Sequence, residues 1–194
     1  CSYSCIYCQI GRTRRFADRL TEFYDPERIF DEAAKKVTET RKRGENIDYI
    51  AFVPDGEPTL DMHLGRVIGL LKSLGIKIGV ITNSSLSPRP EVRKALREAD
   101  WVSFKVDSVI QRVWRRMNRP CKRLQLSTIL DGILEFKKEY RGTLVTETML
   151  VRGVNDGDDN VTAIAGFLGS LKPSGSYLSI PIRPPAEKAV LPPA

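Results

Sequence analysis

Apolar positions along this chain alternate between two periods. From Pro26 onward, Ile29, Phe30, Ala33, Ala34 and Val37 recur at the three-and-four spacing of one helical face. Asp25 supplies a capping carboxylate, Pro26 suits a first helical position, and Gly44 marks the end. Residues 47–53 then read as a strand. A second helix is expected over 62–74, with Leu64, Val67, Ile68 and Leu71 inward and Gly75 closing it. The β-branched run 76–81 predicts the next strand. The pattern continues as helix 90–99, strand 101–106, helices 109–117 and 126–140, strand 144–151, helix 161–171 and strand 177–182. In the longest of these helices Ile129, Leu130, Ile133 and Leu134 form the buried stripe. Five strands alternating with helices predict an α/β fold built on a parallel sheet. Right-handed crossovers would put the helices on one side and curl the sheet into a barrel or part of one.

Composition narrows the class. The chain has 194 residues, 41% hydrophobic and 28% charged, which is enough to bury a core and too apolar for disorder. No repeat, low-complexity tract or linker divides it, so one domain over 1–194 is expected. No apolar run approaches the roughly 20 residues that span a bilayer, and no secretory leader opens the chain, so the expectation is a cytoplasmic protein with no membrane partner. It starts at Cys1 and closes in Leu191-Pro192-Pro193-Ala194, and is read as a core trimmed at both ends.

The net charge is +7, with basic clusters at Arg12, Arg14, Arg15 and Arg19, at Arg41-Lys42-Arg43, and between Arg112 and Arg123. A solvated surface accounts for them; binding of nucleic acid is the alternative.

Candidate chemistry is concentrated at the start. Cys1, Cys5 and Cys8 form a C-x3-C-x2-C loop, which gathers three thiolates for a soft metal or an iron–sulfur cluster. Three ligands on a four-iron cube leave one iron free to bind something else. Structural zinc usually takes four ligands in two pairs, and only Cys121 and His63 are available to complete such a set. A disulfide scaffold does not suit a domain with a real core.

The C-x3-C-x-aromatic-C loop resembles the signature of the radical S-adenosylmethionine (SAM) superfamily. Further segments match in order: Asp55-Gly56-Glu57-Pro58 resembles the family's Gly-Gly-Glu-Pro turn, and Thr82-Asn83-Ser84 its Thr-Asn-Gly segment. Lys105-Val106-Asp107 ends the next strand, Gly153-Val154-Asn155-Asp156 follows a later one, and Arg183-Pro184-Pro185-Ala186-Glu187 follows the last. The chain is most similar to archaeal and bacterial Fe–S oxidoreductases related to the wybutosine-synthesis and molybdenum-cofactor enzymes. Asp55 departs from the family's first glycine.

The resemblance implies a partial (β/α)6 barrel, with a first strand before residue 1. It implies a [4Fe–4S] cluster on Cys1, Cys5 and Cys8, and SAM chelated to the open iron. It also implies a small electron donor of the flavodoxin or ferredoxin type. Reductive cleavage of SAM would then give a 5′-deoxyadenosyl radical that abstracts hydrogen from an unidentified substrate. Gly56, Glu57 and Pro58 are expected at the SAM amino group, and Asn83 and Ser84 at the ribose. Tyr7 is expected near the adenine. Lys105, an otherwise lone cation on an apolar strand, needs an anion, with Asp107 or the SAM carboxylate as candidates. Two rivals stand beside this reading: a radical SAM enzyme acting on tRNA, and a non-enzymatic module using the cysteines for zinc.

Overall fold

The computed structural model describes residues 1–53 and 55–193; Pro54 and Ala194 lie outside the described residues. Five parallel strands form one sheet in the order β1-β2-β3-β4-β5: β1 (Tyr49–Phe52), β2 (Lys77–Thr82), β3 (Trp101–Lys105), β4 (Thr143–Met149) and β5 (Gly175–Ser179). Sequential order means that each helical connection returns the chain beside the strand just left, which is how a sheet begins to curl into a barrel. The helices are α1 (Pro26–Lys42), α2 (Leu64–Lys72), α3 (Pro90–Leu96), α4 (Gln111–Asn118), α5 (Leu126–Glu139) and α6 (Asp158–Leu171).

The expected α/β layout holds, and the shifts at element ends have local causes. α1 starts where expected because the Asp25 carboxylate accepts from Arg28 N at 2.9 Å, and Gly44 leaves it at φ +74°. The helix expected from residue 62 begins two residues later. Glu57 instead caps a short 3₁₀ turn over Pro58–Leu60, and Asp61 takes up the His63 amide at 2.8 Å. β5 lies two to three residues earlier than expected, because Gly175 pairs with Val145 and Pro181, lacking an N–H, follows its end. α6 extends back to Asp158, where Asp158 and Asp159 occupy the positive end of the helix.

The main core lies between sheet and helices. Ile68, Ile78, Val80, Leu96, Val102, Phe104, Ile133 and Leu144 are all fully enclosed. Phe104 meets Phe136 edge-on at 5.2 Å, and Phe136 stacks on Tyr140 at 4.6 Å. A second cluster of Ile6, Met117, Val151 and Val190 fastens the cysteine loop to the end of α4, the loop after β4 and the tail. Among the described residues no helix is long and apolar enough to cross a membrane.

Candidate functional site

Parallel strands bring all their carboxyl ends to one edge, where loops collect functional groups. That edge is joined by side-chain hydrogen bonds from β1 to β5. Glu57, after β1, accepts from Thr59 N (3.0 Å), Thr59 Oγ1 (2.6 Å), Thr82 Oγ1 (2.6 Å) and Asn83 N (2.7 Å). Ser84 Oγ donates to the Lys105 carbonyl at 2.8 Å. Lys105 Nζ binds Glu147 Oε1 at 2.8 Å, and Ser179 Oγ donates to the same oxygen at 3.0 Å.

The cysteine loop crosses this edge and is pinned by backbone hydrogen bonds. Ser4 N and Ile6 N donate to the Asn118 and Met117 carbonyls at 3.0 and 2.9 Å, Cys121 N to Ser2 O at 2.9 Å, and Ala17 N to Cys1 O at 3.0 Å. Arg119, in the left-handed region at φ +43°, turns the chain from α4 into this contact. Beneath the loop the Tyr3 ring meets Trp114 edge-on at 5.9 Å. The tail closes over it: Glu187 N donates to Ile6 O at 3.0 Å, while its carboxylate binds Arg12 (2.8 Å) and Arg119 (2.5 Å).

Cys1, Cys5 and Cys8 are each partly exposed and unpaired. Two of their sulfurs receive side-chain amides: Asn118 Nδ2 stands 3.4 Å from Cys5 Sγ, and Asn83 Nδ2 stands 3.6 Å from Cys1 Sγ. Loss of water around the sulfur, with the nearby Asp107 charge, pushes the Cys5 thiol up to about 11. A thiolate here therefore calls for a positive centre, and a bound metal reverses the local preference. The donor set, soft and gathered in one loop, fits an iron–sulfur cluster. Among the described residues no three His, Cys, Asp or Glu side chains converge on a single metal ion. His63 faces Glu22 at 3.8 Å, and Cys121 Sγ faces Asp18 Oδ2 at 3.6 Å.

The other expected site residues divide by surroundings. Gly56 is exposed, and a Cβ there would touch nothing within 4 Å, so its backbone is open to a ligand. Pro58 sits buried at the start of the 3₁₀ turn and fixes the path of Gly56 and Glu57. Glu57 is only 6% exposed, and its donors lie within the protein. Burial pushes its carboxyl above the usual range against the pull of those donors. Asn83 faces the cysteine loop, giving Nδ2 to Ser2 Oγ at 2.9 Å and accepting Ser85 N on Oδ1 at 3.0 Å. Ser84 is buried in the left-handed region at φ +70°, its hydroxyl turned toward β3. Tyr7 donates to Asp107 Oδ2, and Lys105 Nζ lies 5.1 Å from the centre of its ring.

Lys105 has an anion that strand alternation does not reveal. Its Cα partner across the sheet is Glu147, while Asp107 lies farther off at 3.9 Å. Desolvation would lower the lysine, but Asp107 and Glu147 outweigh it and hold the ammonium above its usual range. Asp107 is buried; Asn118 Nδ2 and Met149 N donate to it at 2.7 and 2.8 Å. Asn155 binds the carbonyls of Asp107 and Met149 at 2.9 and 2.7 Å, tying β3 to β4 beyond their last paired residues. Glu147 and Asn118 do not stand out in the sequence. A lone charge in the strand segment Thr143–Met149 is the available signal for the first, and the polar end of α4 for the second.

Known proteins share this chain and its fold. The family described as the Radical SAM superfamily matches residues 1–163. The UPF0026 protein MJ1312 of Methanocaldococcus jannaschii is 45% identical over 193 residues, covering 100% of this chain and 60% of the relative. A UPF0026 protein of Helicobacter pylori is 34% identical over 191 residues, covering 97% of this chain and again 60% of the relative. The chain thus spans about 60% of the length of these curated relatives. A solved structure of TYW1 with a lysine-pyruvate adduct bound has a TM-score of 0.72 at 18% identity, over 98% of this chain and 65% of that one. A radical SAM methyltransferase from Sphaerobacter thermophilus gives 0.67 at 15% identity, over 100% and 57%. At these identities the structural likeness is one of fold.

Proposed function

The chain belongs to the radical SAM superfamily, and we propose that it is the catalytic core of an enzyme using a [4Fe–4S] cluster and SAM. The observation that carries the reading is the placement of Cys1, Cys5 and Cys8, with amide donors on two of their sulfurs, over a strand edge that bears a charged pair and an open glycine turn. When bound, the cluster and SAM supply one-electron reductive cleavage of SAM to methionine and a 5′-deoxyadenosyl radical that takes hydrogen from a substrate.

The chain's own residues set the conditions for that chemistry. Cys1, Cys5 and Cys8 hold the cluster by three thiolates. Asn83 and Asn118 direct N–H groups at two of these sulfurs, which favours the more negatively charged, reduced state. The open backbone at Gly56 receives the amino end of SAM, and Glu57 holds that turn rigid through its internal donors. Lys105, kept protonated by Asp107 and Glu147, presents positive charge to the SAM carboxylate. Tyr7 and Asp107 brace the loop between the second and third cysteines. A small flavodoxin- or ferredoxin-like protein is the fitting electron donor, reaching the loop where Gln9 and Ile10 are exposed.

Iron and sulfide analysis after anaerobic reconstitution tests the ligand set. Four irons and four sulfides per chain are expected, lost when any one of Cys1, Cys5 or Cys8 is replaced by alanine and retained in Cys121→Ala. Equal loading in all four variants, or a colourless protein that binds one zinc, would remove the proposal.

A further inference from the structure

Two segments that lie a hundred residues apart in sequence, one of them a basic run, meet in space. The loop after the third cysteine and the turn from Arg119 to Leu124 form the walls of an open groove of about 640 Å³. Arg115, Arg119, Lys122 and Arg123 line it, together with Phe16, Leu124 and one acid, Asp18. Of these cations, Arg119 shares Glu187 with Arg12, and Arg123 has a distant pair with Asp18 at 3.6 Å. Arg115 and Lys122 are exposed, and among the described residues neither has a carboxylate partner. Phe16 is 44% exposed, an aromatic side chain in a groove lined by four cations and Asp18. Both walls are tied by backbone hydrogen bonds to the cysteine loop, Ala17 to Cys1 and Cys121 to Ser2.

We propose that this groove binds a single-stranded stretch of nucleic acid, with phosphates on the arginines and lysine and a base stacked on Phe16. The inference rests on the radical SAM reading, whose site lies beside the groove, and it names the class of substrate that site would serve. Net positive charge alone would fit any polyanion. The combination of a concave basic track with an exposed aromatic and an apolar wall is what a strand of alternating phosphates and bases requires.

The test is fluorescence anisotropy with a labelled oligoribonucleotide of about ten residues, within the usual footprint of such grooves. The full chain is compared with Phe16→Ala and with the double variant Arg115→Glu/Lys122→Glu, across a range of salt concentrations. Phe16→Ala is expected to weaken binding about 5- to 150-fold, the equivalent of removing one base–aromatic stack. The double variant should bind at least about tenfold more weakly. Its salt slope should shrink by about 1.4, at about 0.7 for each phosphate that is no longer neutralised. Arg115→Gln/Lys122→Gln serves as the neutral version if charge reversal disturbs folding by circular dichroism. SAM cleavage should be unchanged in every variant, which separates failure of the groove from failure of the catalytic reading. The proposal is overturned if the variants bind like the parent. It is equally overturned if Phe16→Ala has no effect and a duplex or polyphosphate competes as well as the strand, or if the groove variants abolish binding of an acidic ferredoxin while the oligonucleotide does not bind.

Discussion

Gly132 lies in the middle of α5, where helix propensity alone favours alanine by about 1 kcal/mol. The structure reverses that sign. A Cβ at Gly132 would lie 2.5 Å from the carbonyl carbon and oxygen of Ser87 and 2.6 Å from Pro88 N. These are backbone atoms of the loop after β2, and Ser87 is itself buried and bound to the Ile129 carbonyl at 2.7 Å, so nothing there swings aside. Overpacking of this kind costs about 1–3 kcal/mol, and the rigid neighbour puts it at the upper end, for a net loss of about 2 kcal/mol after the propensity gain. Gly166, exposed on α6 with nothing within 4 Å of its Cβ position, is the matched control and should gain about 1 kcal/mol as alanine. Urea unfolding of both variants reads the two signs side by side, with unchanged slope showing that the same transition is measured. The same loop carries Asn83 and Ser85 to the cysteine loop, so Gly132→Ala should also weaken cluster retention. A Gly132→Ala protein as stable as the parent, beside a stabilised Gly166→Ala, would refute the close approach of α5 to that loop.

Other perturbations act on the charged edge. Glu147 is partly buried; burial would raise its carboxyl, but the Lys105 charge, their hydrogen bond and Ser179 outweigh that and lower it. A lowered acid contributes stability that is fully present above its unfolded value of about 4.3 and is lost as pH falls through the folded value. Glu147→Gln should therefore cost about 1.5–3 kcal/mol near neutrality in urea unfolding, with the gap closing below about pH 4; a gap that persists or widens in acid would contradict the pair. Asn118→Leu removes one charge-assisted donor from the buried Asp107, at about 1.5–3 kcal/mol, and the N–H aimed at Cys5. Its reconstituted cluster should show a more negative midpoint potential by redox titration, and an unchanged potential would mean the amide does not act on the sulfur.

The features legible in sequence are those set by neighbours along the chain. The cysteine spacing, the Gly56-Glu57-Pro58 turn and the capping of α1 by Asp25 are local, and each appears where expected. Lys105 is visible as a cation out of place on an apolar strand. Its partner is not, because Glu147 becomes adjacent only through the β3–β4 register. Asn118 is hidden for the same kind of reason: its importance comes from α4 ending against the cysteine loop. The strand ends differ from expectation because pairing, not propensity, decides them, as at Gly175 opposite Val145. The cations of the groove are present in sequence as the arginine-rich run up to Arg123, but the approach of Phe16 is not, because it depends on contacts such as the Tyr3–Pro120 bridge, the hydrogen bond from Cys121 to Ser2 and the Arg123–Asp18 pair.

The most direct measurement is an anaerobic assay of the reconstituted chain with SAM and a strong reductant, following 5′-deoxyadenosine by chromatography beside a Cys5→Ala variant. The expected result is deoxyadenosine from the parent and none from the variant. No deoxyadenosine from a parent carrying a full four-iron cluster, or equal amounts from both proteins, would contradict the assignment of this edge as a SAM-cleaving site.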